Sequence, residues 1–380
     1  MEPTAAVTPP YAAGPLRLAP FRARFLAPSR VGDPASARLF ARPYRAVSSR
    51  VHTWQARGHV TEDSAAALYL HEYTASGVTV RGLVGALDVS RRASRAEDRA
   101  VLPHEGIHPR QADELADRME EMGMNPAPIL LVHDHPVDVR DLLDRIAARR
   151  PDSVFTDRAR QRHRVWAIRD AEALRAVDEG LAPTAALIAD GHHRYAAYLR
   201  LQSRHPGTAC DRGLAMLVDQ VATPLQLGAI HRVLADVRLD GVRTVADALG
   251  LRFGLHTGRD EALGALRPGV LTLTDGSAWA SLCLPDLDAG TTAVEYLHQA
   301  IVPALPRGPH RIGYHHSVAE AVRRTRRARD IAVLLPAPTI DQVWRTTAAG
   351  RLLPEKATSF QPKPSPGVLM RSLRDDADYC

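Results

Sequence analysis

The chain has 380 residues, of which 45% are hydrophobic and 24% are charged, and this length suits two domains or one large elaborated domain. The composition excludes a disordered protein and describes a soluble globular chain. Three widely spaced cysteines argue against a disulfide framework or a thiolate zinc site. The net charge of +6 favours phosphate-bearing ligands only slightly, because positive and negative residues alternate along most of the chain.

No membrane span or secretion signal is recognisable in the sequence. The longest apolar runs fall short of the roughly 18 residues that a transmembrane helix needs. Residues 1–20 lack both the basic start and the apolar run of a signal peptide. We therefore expect a cytoplasmic protein with no membrane partner, while formation of a homo-oligomer stays open.

Lysine is rare in this chain. Of the 49 basic residues only Lys356 and Lys363 are lysines, a ratio that is typical of codon bias towards arginine. If arginine replaces lysine wherever it suffices, these two positions are candidates for sites that need a compact, flexible ammonium group. The alternative is that both are surface lysines without a special role.

The first predicted elements are irregular and then antiparallel. Residues 1–60 are rich in Pro, Ala and Arg and show no sustained period, so we expect an irregular segment with short strands. The apolar residues of 67–73 and 78–87, separated by Ala75-Ser76-Gly77, predict a β-hairpin. The folded body therefore begins with an antiparallel element.

From residue 101 onwards, strands and helices alternate, which predicts an α/β (α+β) fold. In chain order we predict an apolar run at 101–107, a helix at 110–122, a strand at 129–132, a helix at 138–149, a strand at 164–168, a helix at 171–179 with Gly180 as its C-cap, a strand at 185–189, a helix at 195–204, a strand at 214–218, helices near 242–249 and 292–302, a helix at 318–327 and a strand at 331–335.

The clearest functional signal is the sequence Asp190-Gly191-His192-His193-Arg194, which joins a buried strand to a helix. Glycine permits a tight turn, and the amides of a helix start favour anions such as phosphate. The two histidines and the arginine add donors, while Asp190 could hold a divalent metal, orient a histidine or accept a substrate proton. The alternative is that Asp190 only caps the helix and the histidines lie on the surface.

Three further groups are candidates for chemistry. Glu105 could act as a general base towards a hydroxyl nucleophile, although an exposed loop carboxylate is also a common solvated residue. His231 and Arg232 could add donors for the same anion. The remaining candidates are the hydroxyl and ammonium groups of Lys356, Thr358, Ser359 and Lys363, which suit a polyphosphate. No P-loop, kinase glycine-rich loop or dinucleotide fingerprint is present, so a nucleotide would be bound by another architecture.

Two other patterns have simpler explanations. His133 with His135, and His310 with His315 and His316, lack the helical spacing of a zinc site, and we expect them to be surface histidines. The basic run from Arg323 to Arg327 contains no aromatic residue for base stacking, and it is more typical of a solvated helix face than of a nucleic-acid interface.

Taken together, these motifs resemble two known groups of proteins. Asp190 to Tyr195, placed between a strand and a helix, resembles the phosphate-binding motif of the ParB and sulfiredoxin-like superfamily. Nearly the whole chain resembles the bacterial and archaeal family called domain of unknown function 1015. The six ordered blocks of that resemblance are Leu102 to Glu105, Arg164 to Trp166, Ile188 to Tyr195, His231 to Val233, Glu295 to His298, and Pro354 to Lys363 with Gly367.

The resemblance implies a phosphate-binding protein with a ParB-like core. That superfamily includes free-serine kinases, in which an acidic residue before the motif acts on the serine hydroxyl, and that role would fall to Glu105. The implied organisation is an N-terminal wrapping segment with the hairpin (1–100), a phosphate-binding core (101–210) and a C-terminal α/β region that completes the site (211–380).

Two departures from the family pattern concern the substrate. Family members usually carry Pro-Pro-Tyr-Asp near the N-terminus, whereas this chain has Arg42-Pro43-Tyr44-Arg45. In the C-terminal block, Ala357, Ser359 and Gln361 replace the expected hydroxyl and aromatic residues. These changes affect the identity of the substrate more than phosphate binding.

The sequence thus predicts a kinase that uses ATP or ADP with Mg²⁺ to phosphorylate a small hydroxy amino acid, most directly free L-serine to O-phosphoserine. Glu105, Asp190 and His193 are its predicted catalytic residues, and Asp190 is its predicted metal ligand. The predicted nucleotide-binding residues are Gly191, His192, His193, Arg194, His231, Arg232, Lys356, Thr358, Ser359 and Lys363. The alternative is a non-catalytic ParB-like module that binds nucleotide or DNA; a sulfiredoxin-type reductase would need a cysteine where His192 and His193 stand.

Overall fold

The computed structural model describes residues 6–34, 36, 47–325 and 329–374. The Arg42-Pro43-Tyr44-Arg45 motif and the end of the basic run, Arg326 and Arg327, lie outside these ranges. Within the part of the chain that is described, no helix is long and apolar enough to cross a membrane.

The strands are β1 (Leu18–Ala19), β2 (Ala23–Leu26), β3 (Val60–Glu62), β4 (Leu68–Ala75), β5 (Val78–Asp88), β6 (Val101–Leu102), β7 (Met124–Asn125), β8 (Ile129–His133), β9 (Ser153–Thr156), β10 (Arg162–Ile168), β11 (Ala186–Asp190), β12 (Arg212–Asp219), β13 (Gln226–Ala229), β14 (His231–Ala235), β15 (Arg252–His256), β16 (Val270–Thr274), β17 (Trp279–Cys283), β18 (Ile312–His315), β19 (Asp330–Leu334), β20 (Thr358–Gln361) and β21 (Met370–Ser372).

The helices are α1 (Val47–Ala56), α2 (Pro109–Met122), α3 (Val137–Ala147), α4 (Ala171–Leu181), α5 (His192–Arg204), α6 (Leu239–Ala248), α7 (Arg259–Gly264), α8 (Ala293–Tyr296), α9 (Val302–Ala304), α10 (Val318–Arg324) and α11 (Ile340–Ala348). Short 3₁₀ turns occur at Ala96–Asp98 and Ala209–Asp211, and a π-helical turn at Leu297–Ile301.

The chain divides into two compact units. The first unit comprises Met1–Leu225 and Pro362–Cys380, and the second comprises Gln226–Gln361. The predicted regions 1–100 and 101–210 therefore share one unit, and the predicted region 211–380 contributes to both. Strand pairing explains this grouping, because β12 lies between β5 and β8, and β21 pairs with β2 and β7.

The first unit is built on a nine-stranded mixed sheet. Its described strands have the order β6-β11-β8-β12-β5-β4-β10-β9, and β1 adds to β5. The pairs β6–β11 and β8–β12 are parallel, and the other neighbours are antiparallel. A smaller sheet has the order β3-β2-β21-β7. The mixed α/β fold expected from the sequence is thus confirmed.

The second unit contains an antiparallel sheet with the order β15-β17-β16-β19-β14-β18 and a separate β13–β20 ribbon. Val233, Ala332 and Leu334 of this sheet are buried against Val318 and Val322 of α10. The spacing of four residues places the two valines on one helix face. This apolar contact provides part of the core of the unit.

The predicted hairpin is confirmed and shows how local sequence determines its turn. β4 and β5 pair from Tyr69↔Val84 to Ala75↔Val78, so the loop consists of Ser76 and Gly77 alone. Both residues have positive φ (50° and 80°). Two-residue hairpin loops of this kind require positive φ at both positions, because only that twist matches the strands.

The predicted C-cap at Gly180 is wrong, because α4 continues through Gly180 to Leu181. A Cβ atom at Gly180 would come within 2.4 Å of Cγ2 of Val139 in α3. The glycine therefore permits close packing of α3 and α4 and does not end the helix.

Candidate active site

Two loops of the first unit lie side by side because the strands before them are parallel neighbours. Ala186 and Leu187 of β11 pair with Val101 and Leu102 of β6. One loop, residues 103–108, follows β6, and the other is the turn from β11 into α5. The carboxyl ends of parallel strands meet at one edge of a sheet, so the fold brings the loops of Glu105 and Asp190 together.

Gly191 makes the turn between β11 and α5 feasible. Its φ is +97°, a conformation that side-chain-bearing residues rarely adopt. A Cβ atom here would also come within 3.0 Å of both Nη2 of Arg194 and Cγ2 of Ile129. The predicted strand, glycine turn and helix are therefore confirmed, and the glycine is required both by backbone conformation and by space.

His192 and His193 connect the 103–108 loop to the first turn of α5 by hydrogen bonds. Nε2 of His192 accepts a hydrogen bond from the backbone N–H of His104 at 3.3 Å, and Nε2 of His193 accepts one from His108 at 3.0 Å. Since Nε2 accepts, the proton of each neutral ring lies on Nδ1. These rings were expected to bind phosphate, but the Nε2 atoms serve the contact between the two loops, and His192 is buried.

Asp190 connects α5 to the C-terminal segment of the first unit. Its Oδ2 is 2.6 Å from Nη2 of Arg194, and its Oδ1 contacts Nζ of Lys363. Nη1 of Arg194 donates to the carbonyl oxygens of Ala127 and Pro128. Arg194 is thus engaged with Asp190 and with the segment before β8, and its contact with a phosphate stays a prediction.

The carboxylate of Asp190 affects a buried tyrosine nearby. Tyr73 of β4 is completely buried, and its hydroxyl donates to the carbonyl oxygen of Pro362 at 2.7 Å. Burial raises the pKa of this hydroxyl well above its ordinary value, and the negative charge of Asp190 raises it further. Tyr73 is therefore a neutral donor close to the candidate site.

Glu105 lies on the 103–108 loop beside a neutral histidine. Its side chain is 15% exposed, and its Oε1 is 3.8 Å from Nε2 of His104. Burial lowers the pKa of His104 to about 3, and a backbone hydrogen bond with Ile188 opposes this shift only in part. Because the imidazole is neutral near pH 7, His104 places no positive charge beside the carboxylate of Glu105.

The other predicted ligands belong to the second unit. Arg232 is completely buried, and its guanidinium donates to the carbonyl oxygens of Ile230 (2.7 Å) and Glu355 (3.0 Å) and to Nε2 of His298 (3.1 Å). Nδ1 of His231 accepts from the backbone N–H of Leu335 at 3.2 Å. These contacts hold both side chains within the second unit, and their role in phosphate binding stays a prediction.

The C-terminal block is divided between the units. Lys356 is exposed in a turn of the second unit with φ of +55°, and Thr358 and Ser359 follow on β20. Oγ of Ser359 is 3.1 Å from Nδ1 of His316. Lys363, in the first unit, belongs to the arrangement around Asp190.

The residues around Asp190 do not fit a magnesium site. Both carboxylate oxygens contact cationic side chains, which compete with a metal for the same lone pairs. Across the described residues, no group of three or more His, Cys, Asp or Glu side chains is arranged to hold a metal ion. The predicted role of Asp190 as a metal ligand is therefore not supported by this geometry.

The sequence interpretation missed two sets of residues. His133 and His135, expected at the surface, are only 3% and 4% exposed. Burial is the main cause that lowers their pKa values to about 3 and about 4.

A second set, Tyr73 and Gln161, contacts the segment that contains Lys363. The only available signal was that Tyr73 lies on a predicted strand, since the partner of each residue is more than 200 positions away.

The sequence profile of the family described as "Protein of unknown function (DUF1015)" matches residues 27–328, and the chain belongs to this family. No curated protein matches the sequence. The resemblance to that family is thus confirmed, whereas the link to the ParB and sulfiredoxin-like superfamily stays a prediction.

Several solved structures are similar at low identity. A free serine kinase mutant in complex with ADP is 15% identical (TM-score 0.42; 72% of this chain and 88% of that chain covered). SbnI with a C-terminal truncation, from Staphylococcus aureus, is 13% identical (TM-score 0.42; 73% and 87%). A conserved hypothetical protein from Pyrococcus furiosus is 15% identical (TM-score 0.38; 72% and 92%). Similarity at this level does not assign an activity to this chain.

Proposed function

We propose that this protein transfers a phosphoryl group from ATP or ADP to the hydroxyl of a small amino acid, with free L-serine as the first candidate. The observation that carries the proposal is that the loop of Glu105 is hydrogen-bonded at both ends to the first turn of α5, next to the Asp190–Lys363 pair. A carboxylate, an ammonium group and a helix start therefore occupy one edge of the sheet. Serine as the acceptor follows from the motif resemblance.

The start of α5 supports the binding of phosphate. The first hydrogen bond within this helix runs from the backbone N–H of Tyr195 to the carbonyl of Gly191 at 2.8 Å, so the amides of residues 192–194 precede it. First-turn amides and the positive end of the helix dipole together favour an anion. The ammonium group of Lys363 would add a compact positive charge for the transferred group.

The acidic residues support the transfer step. Glu105 would accept the proton of the acceptor hydroxyl as its oxygen attacks the terminal phosphorus, and the bond from that phosphorus to the nucleotide would break. Asp190 would hold Lys363 in place. Transfer of this kind depends mainly on positioning and on electrostatic stabilisation, which these groups supply without a covalent intermediate.

The proposal is tested by incubating the purified protein with ATP or ADP, magnesium and serine, and by measuring phosphoserine by mass spectrometry. We expect product with the wild type and a loss of about 100-fold or more in Glu105→Gln, because a general base contributes about 10²–10⁴-fold. The matched control is Glu114→Gln on α2, which removes an exposed carboxylate paired with Arg110.

Nucleotide affinity, measured by calorimetry, separates binding from chemistry. Glu105→Gln should retain it within about threefold, since the residue acts on the acceptor and not on the nucleotide. The absence of a phosphorylated product with serine and with a panel of other small hydroxy acids, using either nucleotide, would refute the proposal. Nucleotide binding without turnover would then favour a non-catalytic module.

A further inference from the structure

A buried chain of three polar side chains lies on one face of the large sheet. Nε2 of His71 (β4) is 3.0 Å from Nδ1 of His163 (β10), and Nε2 of His163 is 3.2 Å from Oδ2 of Asp157. All three residues are less than 9% exposed. Burial lowers the pKa of His163, so its ring is neutral near pH 7. Because the carboxylate of Asp157 accepts, this neutral ring carries its proton on Nε2 and accepts at Nδ1 from His71. The direction of every hydrogen bond in the chain is therefore determined.

Asp157 also holds the turn between β9 and β10. Its Oδ1 accepts from the backbone N–H of Gln161 at 2.8 Å, and its own N–H donates to the carbonyl of Gln161 at 2.9 Å. The side chain of Gln161 then makes two contacts with the C-terminal segment. Nε2 donates to the carbonyl of Lys363 at 3.0 Å, and Oε1 accepts from the N–H of Ser365 at 3.2 Å.

Tyr73 makes a third contact with the same segment. Its hydroxyl donates to the carbonyl of Pro362, the residue before Lys363. Its ring lies 5.5 Å from the ring of His71 and 6.5 Å from that of His163. The backbone is thus hydrogen-bonded before, at and after Lys363 by two neutral side chains that belong to one packed cluster.

We infer that Gln161 and Tyr73 are positioning residues that hold Lys363 against Asp190, and that the Asp157–His163–His71 chain holds Gln161 in place. When the backbone at Lys363 is already fixed, less conformational entropy is lost as its long side chain forms the contact with Asp190. The ammonium group is thereby kept at the carboxylate of Asp190. The consequence for phosphoryl transfer rests on the proposed function, but the positioning itself does not.

The two lysines of the chain allow a direct test without any activity. An amine-reactive acylating ester is applied to the full protein, and the acylation rates of Lys363 and Lys356 are followed separately by peptide mass spectrometry. Both lysines are exposed, and in the wild type Lys363 should react several-fold more slowly than Lys356, because its amine is held at the carboxylate of Asp190. In Gln161→Ala, the rate at Lys363 should rise several-fold and the rate at Lys356 should stay within about 1.5-fold.

Two further variants make the test independent of folding defects. Tyr73→Phe removes one hydroxyl, and Gln161→Glu retains the acceptor for Ser365 but loses the donor for Lys363; both should raise the rate at Lys363 alone. Arg162→Ala, an exposed neighbour on β10, is the matched control and should change neither rate. Because Lys356 is already exposed in the wild type, a general loss of structure is excluded by an unchanged circular dichroism spectrum and denaturation midpoint in each variant.

Unchanged Lys363 reactivity in Gln161→Ala and Tyr73→Phe would overturn the inference, whether or not the protein is a kinase. If phosphoserine is formed, Gln161→Ala should lower kcat about 10- to 100-fold with little change in KM for serine, since misplacing a reacting group affects the transfer step. A failed activity assay with the expected lysine rates would reject the proposed function and retain the positioning role.

Discussion

The ammonium group of Lys363 contacts Oδ1 of Asp190, a residue 173 positions earlier in the chain. Both residues belong to the first unit, although the second unit lies between them in sequence. One of only two lysines in the protein is therefore placed at the aspartate of its clearest motif.

This pair leads to a prediction for nucleotide affinity. Replacing Lys363 by Ala removes the ammonium group beside Asp190, so we expect the affinity for ATP or ADP to fall about tenfold, or about 1.4 kcal/mol. Calorimetric titration measures this change. Arg238→Ala, which removes an exposed positive charge of the second unit, is the control for net charge. Equal losses in both variants would indicate a general electrostatic effect.

Gly191 should be intolerant of substitution. Gly191→Ala places a Cβ atom at a backbone φ of +97° and within 3.0 Å of Arg194 and Ile129, so we expect the free energy of unfolding to fall by about 2 kcal/mol. Gly241→Ala in α6, where no atom lies within 4 Å of the added Cβ, is the matched control and should be neutral or stabilising by about 0.5 kcal/mol. Urea denaturation compares them, and similar values would contradict the prediction.

The buried histidines predict a loss of stability in acid. The pKa values of His133 and His135 are lowered to about 3 and about 4 in the folded protein, against about 6.5 in an unfolded chain. Below about pH 6.5 the unfolded state therefore binds protons that the folded state excludes, and the free energy of unfolding should decrease towards pH 4. His133→Gln should reduce this slope by about 1.4 kcal/mol per pH unit. Denaturant titrations between pH 7 and pH 4 measure both slopes, and a flat wild-type curve would refute the explanation.

The role of Arg232 can be separated from phosphate binding. Its guanidinium donates to two carbonyl oxygens and one histidine, and a lysine cannot satisfy this set, so Arg232→Lys should lower the free energy of unfolding by about 2–3 kcal/mol. Thermal and chemical denaturation measure this loss, and the exposed Arg238→Lys is its control. Weaker nucleotide binding with unchanged stability would instead support the role suggested by the sequence.

Local features of the fold were predictable because they depend on residues close in sequence. The hairpin loop needs positive φ at Ser76 and Gly77, and the turn before α5 needs a residue without Cβ at Gly191. A glycine between two segments with strand or helix periodicity therefore marks each turn in the sequence. The end of α4 was mispredicted for a related reason. Gly180 is required by packing against Val139, which is a contact between distant helices.

The sequence alone determined the family, the mixed α/β fold and the residues worth examining at Asp190, Glu105 and Lys363, because motif, periodicity and rarity are properties of the chain itself. Only the tertiary structure decided what those side chains contact. His192 and His193 accept hydrogen bonds from backbone amides of the neighbouring loop, because β6 pairs in parallel with β11. Arg194 binds Asp190 and two carbonyl oxygens, because the pairing of β8 with β11 places these groups beside it. The role of a polar side chain depends on the donors and acceptors that the folded chain brings within about 3 Å of it.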